Sequence, residues 1–173
     1  MISIIILIFV LFVIIFLTWY YFISFAKSLY TTKVPYVWSF SRQLDIMKDL
    51  NLKKWKKIID LWCGDGKALR FFEKEFWLNG TWYDINSFAI LYWKILNKIK
   101  KSNVKLYKKD FTKINNLKDF DYIYIYLFPE FMEKIEDWIF ENKWKNTIII
   151  SNSFKFKKHK AFKILKEKIY LYK

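Results

Sequence analysis

The stretch K-K-I-I-D-L-W-C-G-D-G-K-A-L, residues 56–69, contains an apolar run, two closely spaced glycines and the start of an amphipathic segment. It predicts a strand over residues 57–61, a turn at Gly64 and Gly66, and a helix that begins at Lys67. Glycine suits such a turn because a side chain would collide with a bound ligand and because tight turns require positive φ. The stretch therefore predicts a strand, a turn and a helix that approach a nucleotide-like ligand.

Beyond this turn, apolar strands alternate with amphipathic helices. Helices are predicted over residues 67–76, 87–100 and 132–140. Strands are predicted over residues 80–85, 104–107, 122–127 and 147–151, and a closing hairpin over residues 161–165 and 169–172. This order predicts a Rossmann-like, doubly wound α/β fold, with a mostly parallel sheet and a C-terminal antiparallel hairpin.

Two more aspartates follow predicted strands. Asp84 lies about two dozen residues after Asp60, and Asp110, followed by Phe111, comes after the third predicted strand. The carboxyl ends of parallel strands form the edge where open α/β sheets bind ligands, and a carboxylate at the second strand commonly binds ribose hydroxyls. A turn or a helix cap is the ordinary role of a single such aspartate. Three of them beside a glycine turn favour a cofactor site.

The motif D-L-W-C-G-D-G, residues 60–66, resembles D-L-G-C-G-D-G, the first motif of class I S-adenosylmethionine-dependent methyltransferases. The resemblance implies S-adenosylmethionine as the cofactor. Its ammonium, hydroxyl and amino groups are donors that each need an acceptor. By resemblance, Asp84 binds the ribose, Asp110 and Phe111 bind the adenine, and the methionine end is lined by Asp60, Trp62, Cys63, Gly64, Asp65 and Gly66.

Trp62 departs from this motif, because an indole stands where the family has glycine beside the cofactor. The 173 residues include nine Trp and three Gly, whereas a glycine share of about 7% would give roughly twelve. Other tryptophans that stand where this fold would have glycine are Trp55, Trp77, Trp82 and Trp144. We hypothesise that the gene encodes glycine with UGA and that these codons were read as Trp. The alternative is a degenerate homologue with genuine tryptophans.

The N-terminal residues 2–25 carry no charge and almost no polar group. At about 1.5 Å per residue, a helix of this length crosses a hydrocarbon core of about 30 Å. No positive charge precedes the run and no small-residue cleavage site follows it, which disfavours a cleaved signal peptide. Lysines that follow at once indicate a cytoplasmic C-terminal side. We expect a single-pass anchor over residues 1–26, a connector over residues 27–40 and a cytoplasmic methyltransferase domain over residues 41–173.

Several other segments resemble a family of small membrane-anchored methyltransferases. They are the N-terminal span, V-P-Y at residues 34–36, Y-L-F-P-E-F-M at residues 126–132, S-N-S-F-K-F at residues 151–156, and the final hairpin. The family includes mitochondrial enzymes that methylate lysines of ATP synthase subunit c and of the adenine nucleotide translocator. The resemblance implies that the acceptor is a protein amine near the membrane.

The segment Leu127-Phe128-Pro129-Glu130 follows the fourth predicted strand. Methyltransferases that act on amino groups of adenine or cytosine commonly have [DNS]-P-P-[YF] there, and this chain does not. Pro129 and Glu130 are therefore candidates for an acceptor pocket in which Glu130 attracts a cationic amine. Equally, Glu130 starts the next helix, where a carboxylate suits the helix dipole. Methyl transfer from a sulfonium depends mainly on proximity and alignment, so no catalytic triad is expected.

The formal net charge of +15 favours an anionic neighbour, either nucleic acid or the cytoplasmic leaflet of a membrane. An AT-rich coding bias is an equally good explanation of the many lysines. The alternatives to a protein-amine methyltransferase are an RNA methyltransferase and, if Trp62 and Trp82 are genuine, an inactive binding protein of the same fold. One Cys and one His give almost no support for a metal site, and we expect His159 to be a surface residue.

Overall fold

The computed structural model describes residues 2–32, 41–61, 66–84 and 87–173. The chain divides into two compact units, Met1–Pro35 and Tyr36–Lys173. The first unit contains helix α1 (Ile2–Thr32). The window Ser3–Tyr20 of this helix is long and apolar enough to cross a membrane, a property that signal sequences share.

Helix α1 continues to Thr32, beyond residue 26, the predicted end of the anchor. No Gly or Pro occurs in residues 2–32, so nothing in the sequence interrupts the helix. The predicted connector therefore begins in helical conformation. Residues 33–40, which include the V-P-Y segment, lie outside the described residues.

The described part of the second unit is a seven-stranded sheet with helices between its strands. The helices are α2 (Ser41–Ile46), α3 (Lys67–Phe76), α4 (Ser87–Ile99) and α5 (Pro129–Asn142). The strands are β1 (Lys57–Asp60), β2 (Asn79–Asp84), β3 (Lys105–Lys108), β4 (Tyr122–Ile125), β5 (Ile148–Asn152), β6 (Lys163–Leu165) and β7 (Ile169–Tyr172). Strands β1 to β5 are parallel, and β7 is antiparallel to both β5 and β6. The predicted fold class is confirmed.

The strand order β3-β2-β1-β4-β5-β7-β6 places a switch point at β1. Strands β2 and β3 extend the sheet on one side of β1, whereas β4 and β5 extend it on the other. Asp60, the last residue of β1, lies opposite Trp82 of β2 and Tyr124 of β4, so β2 extends two residues and β4 one residue beyond the end of β1. In open α/β sheets a ligand crevice lies outside the carboxyl ends of the strands at such a switch point.

The core of the second unit lies on the central strands. Every residue of β4 is buried, as are Ile58 and Ile59 of β1, and such continuous burial is typical of parallel strands that are covered on both faces. Helix α3 contributes four buried residues, among them Leu69 and Phe72. A Cβ at Gly80 of β2 would lie 3.1 Å from Val104 Cγ2, so glycine permits a close approach there.

Candidate active site

The three predicted aspartates lie at the carboxyl ends of β1, β2 and β3. Asp60 is the last residue of β1 and is 1% exposed. Asp84 is the last residue of β2 and is half-buried. Asp110 is half-buried and lies two residues after β3 ends at Lys108. Because β3, β2 and β1 are neighbours, the three aspartates lie side by side along the carboxyl ends of the strands.

Gly66 ends the glycine turn and begins helix α3. It is the N-cap residue, with φ 65° and ψ 6°, a left-handed conformation that glycine adopts without steric cost. The first N–H groups of α3 lack partners within the helix. The other predicted turn residues lie outside the described part of the chain: Trp62, Cys63, Gly64 and Asp65.

Phe111 provides an aromatic ring next to Asp110. It is half-buried, and its ring meets Trp138 of α5 edge-on, with centroids 6.0 Å apart. A carboxylate beside an aromatic ring suits a planar base with an amino group, because the carboxylate accepts a hydrogen bond and the ring offers an apolar surface.

The side chains at this edge fit S-adenosylmethionine by the chemistry of their donors and acceptors. An ammonium, two ribose hydroxyls and an adenine amino group are donors, and three carboxylates, Asp60, Asp84 and Asp110, lie at or just after three neighbouring strand ends as acceptors. The left-handed Gly66 allows the backbone to turn tightly beside such a group. Within the described ranges, no three His, Cys, Asp or Glu side chains are arranged to hold a metal ion.

Pro129 and Glu130 form the first turn of α5, directly after β4. Both are exposed. Proline is favoured at the first helical position because the N–H that it lacks would have no helical partner there. The carboxylate of Glu130 suits the positive end of the helix dipole. The structure thus places Glu130 at the start of a helix, and its contact with an acceptor stays a prediction.

Several polar side chains form a hydrogen-bonded network at the carboxyl ends of β4 and β5, which no pattern in the sequence predicts. Gln43 Nε2, on α2, donates to Tyr126 Oη at 3.3 Å and to Ser153 Oγ at 3.2 Å. Ser153 Oγ donates to Asn152 Oδ1 at 3.0 Å, and Asn152 Nδ2 donates to Tyr124 Oη at 3.0 Å. These bonds join α2 to both strand ends. Two of the sequence segments named above, S-N-S and Y-L-F-P-E-F-M, include members of this network, but no sequence pattern indicates their contact with Gln43.

Three aromatic rings adjoin this network. The ring of Phe154 is stacked on Tyr126, with centroids 6.3 Å apart, and lies 6.0 Å from the ring of Phe128. Tyr126 is buried, whereas Phe128 is exposed. Aromatic faces attract cations. This aromatic group therefore suits an ammonium near the carboxyl ends of β4 and β5.

His159 lies at the surface, with its side chain 37% exposed, and makes two specific contacts there. Its ring is stacked on Phe140 with centroids 3.5 Å apart, and its Nδ1 lies 2.8 Å from Glu136 Oε1. Glu136, on α5, is fully buried and accepts hydrogen bonds from the backbone N–H groups of Lys157, Lys158 and His159, at 3.2, 2.8 and 3.0 Å. The buried carboxylate of Glu136 thus holds residues 157–159, in the loop between β5 and β6, against α5.

We expect Glu136→Gln to lower the free energy of unfolding by about 2 kcal/mol near neutral pH. Burial alone would raise the pKa of Glu136, but the hydrogen bonds from His159 and the backbone amides hold this pKa below its usual value. Such a carboxylate stabilises the fold fully above its unfolded-state pKa of about 4.3, and the contribution disappears as the pH falls through the folded-state pKa. Denaturation of the full chain in detergent, at a series of pH values, measures both effects.

The neighbouring variant Asp137→Asn is the matched control. Asp137 is exposed and pairs with Lys158, so its loss is expected to cost less than about 0.5 kcal/mol. Acidification should weaken the parent chain more than Glu136→Gln. Two results would contradict a stabilising role of the Glu136 carboxylate. One is an equal loss of unfolding free energy in the two variants, and the other is the same dependence of stability on acid pH in the parent chain and in Glu136→Gln.

Two of the tryptophans at predicted glycine positions have positive φ. Trp55 has φ 64°, and Trp77, the residue that caps the C-terminus of α3, has φ 57°. Their rings are 67% and 53% exposed and meet edge-on, with centroids 5.4 Å apart. The N–H of Trp77 donates to the carbonyl of Glu73 at 2.9 Å. A left-handed residue at the C-terminus of a helix, as at position 77, or in a turn, as at position 55, is usually glycine, so both positions support the glycine hypothesis.

Trp82 and Trp144 do not have this geometry. Trp82 is 2% exposed within β2, and its ring centroid lies 6.1 Å from that of Trp93. Trp144 is exposed and is not among the described residues with positive φ. Backbone conformation thus supports glycine at positions 55 and 77 and gives no support at positions 82 and 144.

Several solved structures have folds similar to this chain. The RNA methyltransferase from Salinibacter ruber in complex with S-adenosyl-L-homocysteine is 16% identical, with a TM-score of 0.70, over 79% of this chain and 92% of that chain. A SAM-dependent methyltransferase from Geobacter sulfurreducens, with the same ligand, is 13% identical, with a TM-score of 0.56, over 65% and 48%. Precorrin 8W decarboxylase from Methanobacterium thermoautotrophicum is 18% identical, with a TM-score of 0.52, over 72% and 68%. These similarities concern the fold.

Sequence comparison identifies the family. No curated protein matches the chain. A family profile described as the ANTKMT methyltransferase domain matches residues 60–163, which run from the first aspartate of the site into β6 and make up more than half of the chain. The chain therefore belongs to the ANTKMT methyltransferase domain family and is an S-adenosylmethionine-dependent methyltransferase, as its first motif predicts.

Proposed function

We propose that this enzyme methylates the amine of a lysine side chain on a protein at a membrane surface. The observation that carries the cofactor half of the proposal is the row of aspartates at the carboxyl ends of β1, β2 and β3. The Salinibacter and Geobacter structures contain S-adenosyl-L-homocysteine, which is what remains of S-adenosylmethionine after methyl transfer. Family membership supports the same chemistry.

Each residue at this edge has a proposed role. Asp60 and the turn over residues 62–66 hold the methionine end, Asp84 holds the ribose hydroxyls, and Asp110 with Phe111 holds the adenine. When bound, the cofactor supplies a methyl group on a sulfonium. The chain's own contribution is to bring an unprotonated acceptor nitrogen in line with that methyl group, so that proximity and alignment lower the barrier.

The carboxyl ends of β4 and β5 favour an amine as the acceptor. The exposed ring of Phe128, which lies beside Phe154, offers an aromatic surface that attracts an ammonium group. Glu130 adds an exposed carboxylate in the first turn of α5, so a lysine side chain is attracted as a cation before it loses its proton to water. Residues 127–130 lack the signature of enzymes that methylate base amino groups.

Helix α1 supports attachment to a membrane. Its window Ser3–Tyr20 is apolar enough to span one, and the first charge of the chain is Lys27. Positive charge after the span favours a single-pass orientation with the catalytic unit in the cytoplasm. An anchored enzyme meets membrane-bound substrates at a raised effective concentration. That suits a small catalytic unit without an inserted substrate domain.

Cell membranes that contain the full chain, incubated with S-adenosylmethionine labelled in its methyl group, test the acceptor. We expect label that protease removes and ribonuclease does not, and methyllysine after acid hydrolysis of the labelled protein. Label found only in RNA would replace this proposal by an RNA methyltransferase, the alternative that the charge of +15 favours. Absence of label, together with absence of cofactor binding, would indicate an inactive fold.

A further inference from the structure

Helix α4 carries a row of large apolar side chains that remain exposed in the described part of the structure. The row, which we call the α4 stripe, consists of Leu91, Tyr92, Ile95 and Ile99, each between 50% and 68% exposed. Residues spaced by three, four or seven positions share one helix face. The opposite face is anchored in the core by Ile90 and Trp93. The stripe is thus a continuous apolar surface on an otherwise well-packed helix.

Lysines flank the α4 stripe on the helix and follow it in the sequence. No Asp or Glu occurs between residues 87 and 109, and this segment includes Lys94, Lys98, Lys100, Lys101, Lys105, Lys108 and Lys109. All seven are exposed, and none takes part in an ion pair between described residues. An apolar face bordered by basic side chains is typical of helices that lie in the interface of an anionic membrane.

A groove beside the stripe offers donors for an anionic headgroup. It measures about 320 Å³ and is lined by Lys94, Asn97, Lys98, Ser102, Val104 and Leu106. Glu73 lies at one end, where its carboxylate accepts hydrogen bonds from the Ser102 hydroxyl and the Asn103 N–H. The ammonium groups of Lys94 and Lys98 stay available on the exposed side.

We propose that the α4 stripe inserts into the headgroup region of an anionic lipid bilayer while the surrounding lysines bind lipid phosphates. The inference rests on the proposed membrane location and adds a second point of attachment on the catalytic unit. Charge complementarity selects lipid as the occupant. A nucleic acid would match the lysines but not four exposed apolar side chains, and a second copy of this basic face would repel the first.

The test uses the full chain in lipid nanodiscs of phosphatidylcholine alone, or of phosphatidylcholine and phosphatidylglycerol at about two to one. Each disc contains a tracer phospholipid with a photoreactive acyl chain, and cross-linked peptides are identified by mass spectrometry. We expect about 25-fold more cross-links to residues 87–101 in the anionic discs, because Lys94 and Lys98 each contribute roughly a fivefold change near an anionic surface. Cross-links to α1 report the anchor independently.

Two double variants separate the contributions. Ile95→Asn with Ile99→Asn should reduce the α4 cross-links to background, and Lys94→Glu with Lys98→Glu should reduce those in anionic discs to the level in neutral discs. The matched control is Phe162→Asn with Ile164→Asn, which alters equally exposed apolar side chains near the opposite edge of the sheet and should leave α4 cross-linking unchanged.

Three results would overturn the proposal: equal α4 cross-linking in both disc types, no α4 cross-links while α1 is labelled, or two chains per disc that separate when the stripe is mutated. Label on α4 without label on α1 would contradict the anchor and still support the α4 contact. Methyl transfer is measured separately in the same discs, so a failure of the proposed chemistry is distinguishable from a failure of this contact.

Discussion

The Trp77→Gly variant is expected to be more stable than the Trp77→Ala variant by about 1 kcal/mol. Both substitutions remove the exposed indole and its contact with Trp55, and they differ only in the Cβ atom. At φ 57° a Cβ strains the backbone, whereas glycine does not. Chemical denaturation of the full chain measures the difference. The same comparison at position 55, where φ is 64°, should have the same sign.

Position 144 provides the control for this comparison. Trp144 is also exposed but does not have positive φ, so Trp144→Gly should be no more stable than Trp144→Ala, because glycine loses more backbone entropy on folding. Alanine equal to glycine at position 77 would contradict backbone strain there. The codons give an independent test of the recoding hypothesis: UGG at positions 62 and 82 would reject it.

The Asp84→Ala variant is expected to bind S-adenosylmethionine about 100-fold more weakly than the parent chain. A carboxylate at the end of β2 would accept hydrogen bonds from ribose hydroxyls, and each hydrogen bond to a charged group contributes roughly 1.5–3 kcal/mol. Isothermal titration calorimetry of the full chain in detergent measures the change. The thermal midpoint of the variant is recorded alongside, so that unfolding is not mistaken for lost binding.

Asp119→Ala is the matched control for this measurement. Asp119 is an exposed aspartate in a turn that precedes β4, at the end of the sheet opposite the site, so its loss should leave the affinity unchanged. Equal affinity in Asp84→Ala and the parent would contradict the ribose role. If the parent chain does not bind, Trp62→Gly becomes the reference background. Binding regained there would support glycine at position 62, and continued absence would contradict the cofactor assignment.

Most of the fold was accessible from local patterns in the sequence. The alternation of apolar strands and amphipathic helices identified β1 to β5 and the closing hairpin. The clearest were β1 and β4, because buried parallel strands are continuous apolar runs. The carboxyl-edge position of Asp60, Asp84 and Asp110 followed from the same alternation. Helix α1 extends past the predicted anchor because charge composition marks where a membrane segment ends, whereas a helix continues until its backbone is interrupted.

The parts that escaped prediction depend on contacts between residues distant in sequence. The bonds of Gln43 to Tyr126 and Ser153 span more than eighty residues, and no periodicity encodes them. Glu136 occupies a position on α5 that an apolar residue would normally fill, and only the fold shows that backbone amides and His159 satisfy it. The α4 stripe could not be predicted, because the apolar spacing of α4 indicates a helix but does not reveal which of its faces packs against the core.

Strand β3 forms one edge of the sheet, and its backbone is unpaired on its outer side among the described strands. Exposed edges of this kind invite pairing with other chains, and short strands rich in lysine are a common protection against it. β3 has only four residues, and two of them, Lys105 and Lys108, are exposed lysines. We expect the lysines that we propose for lipid contact also to protect this edge strand against pairing with other chains, so that substituting them should change solubility and membrane binding together.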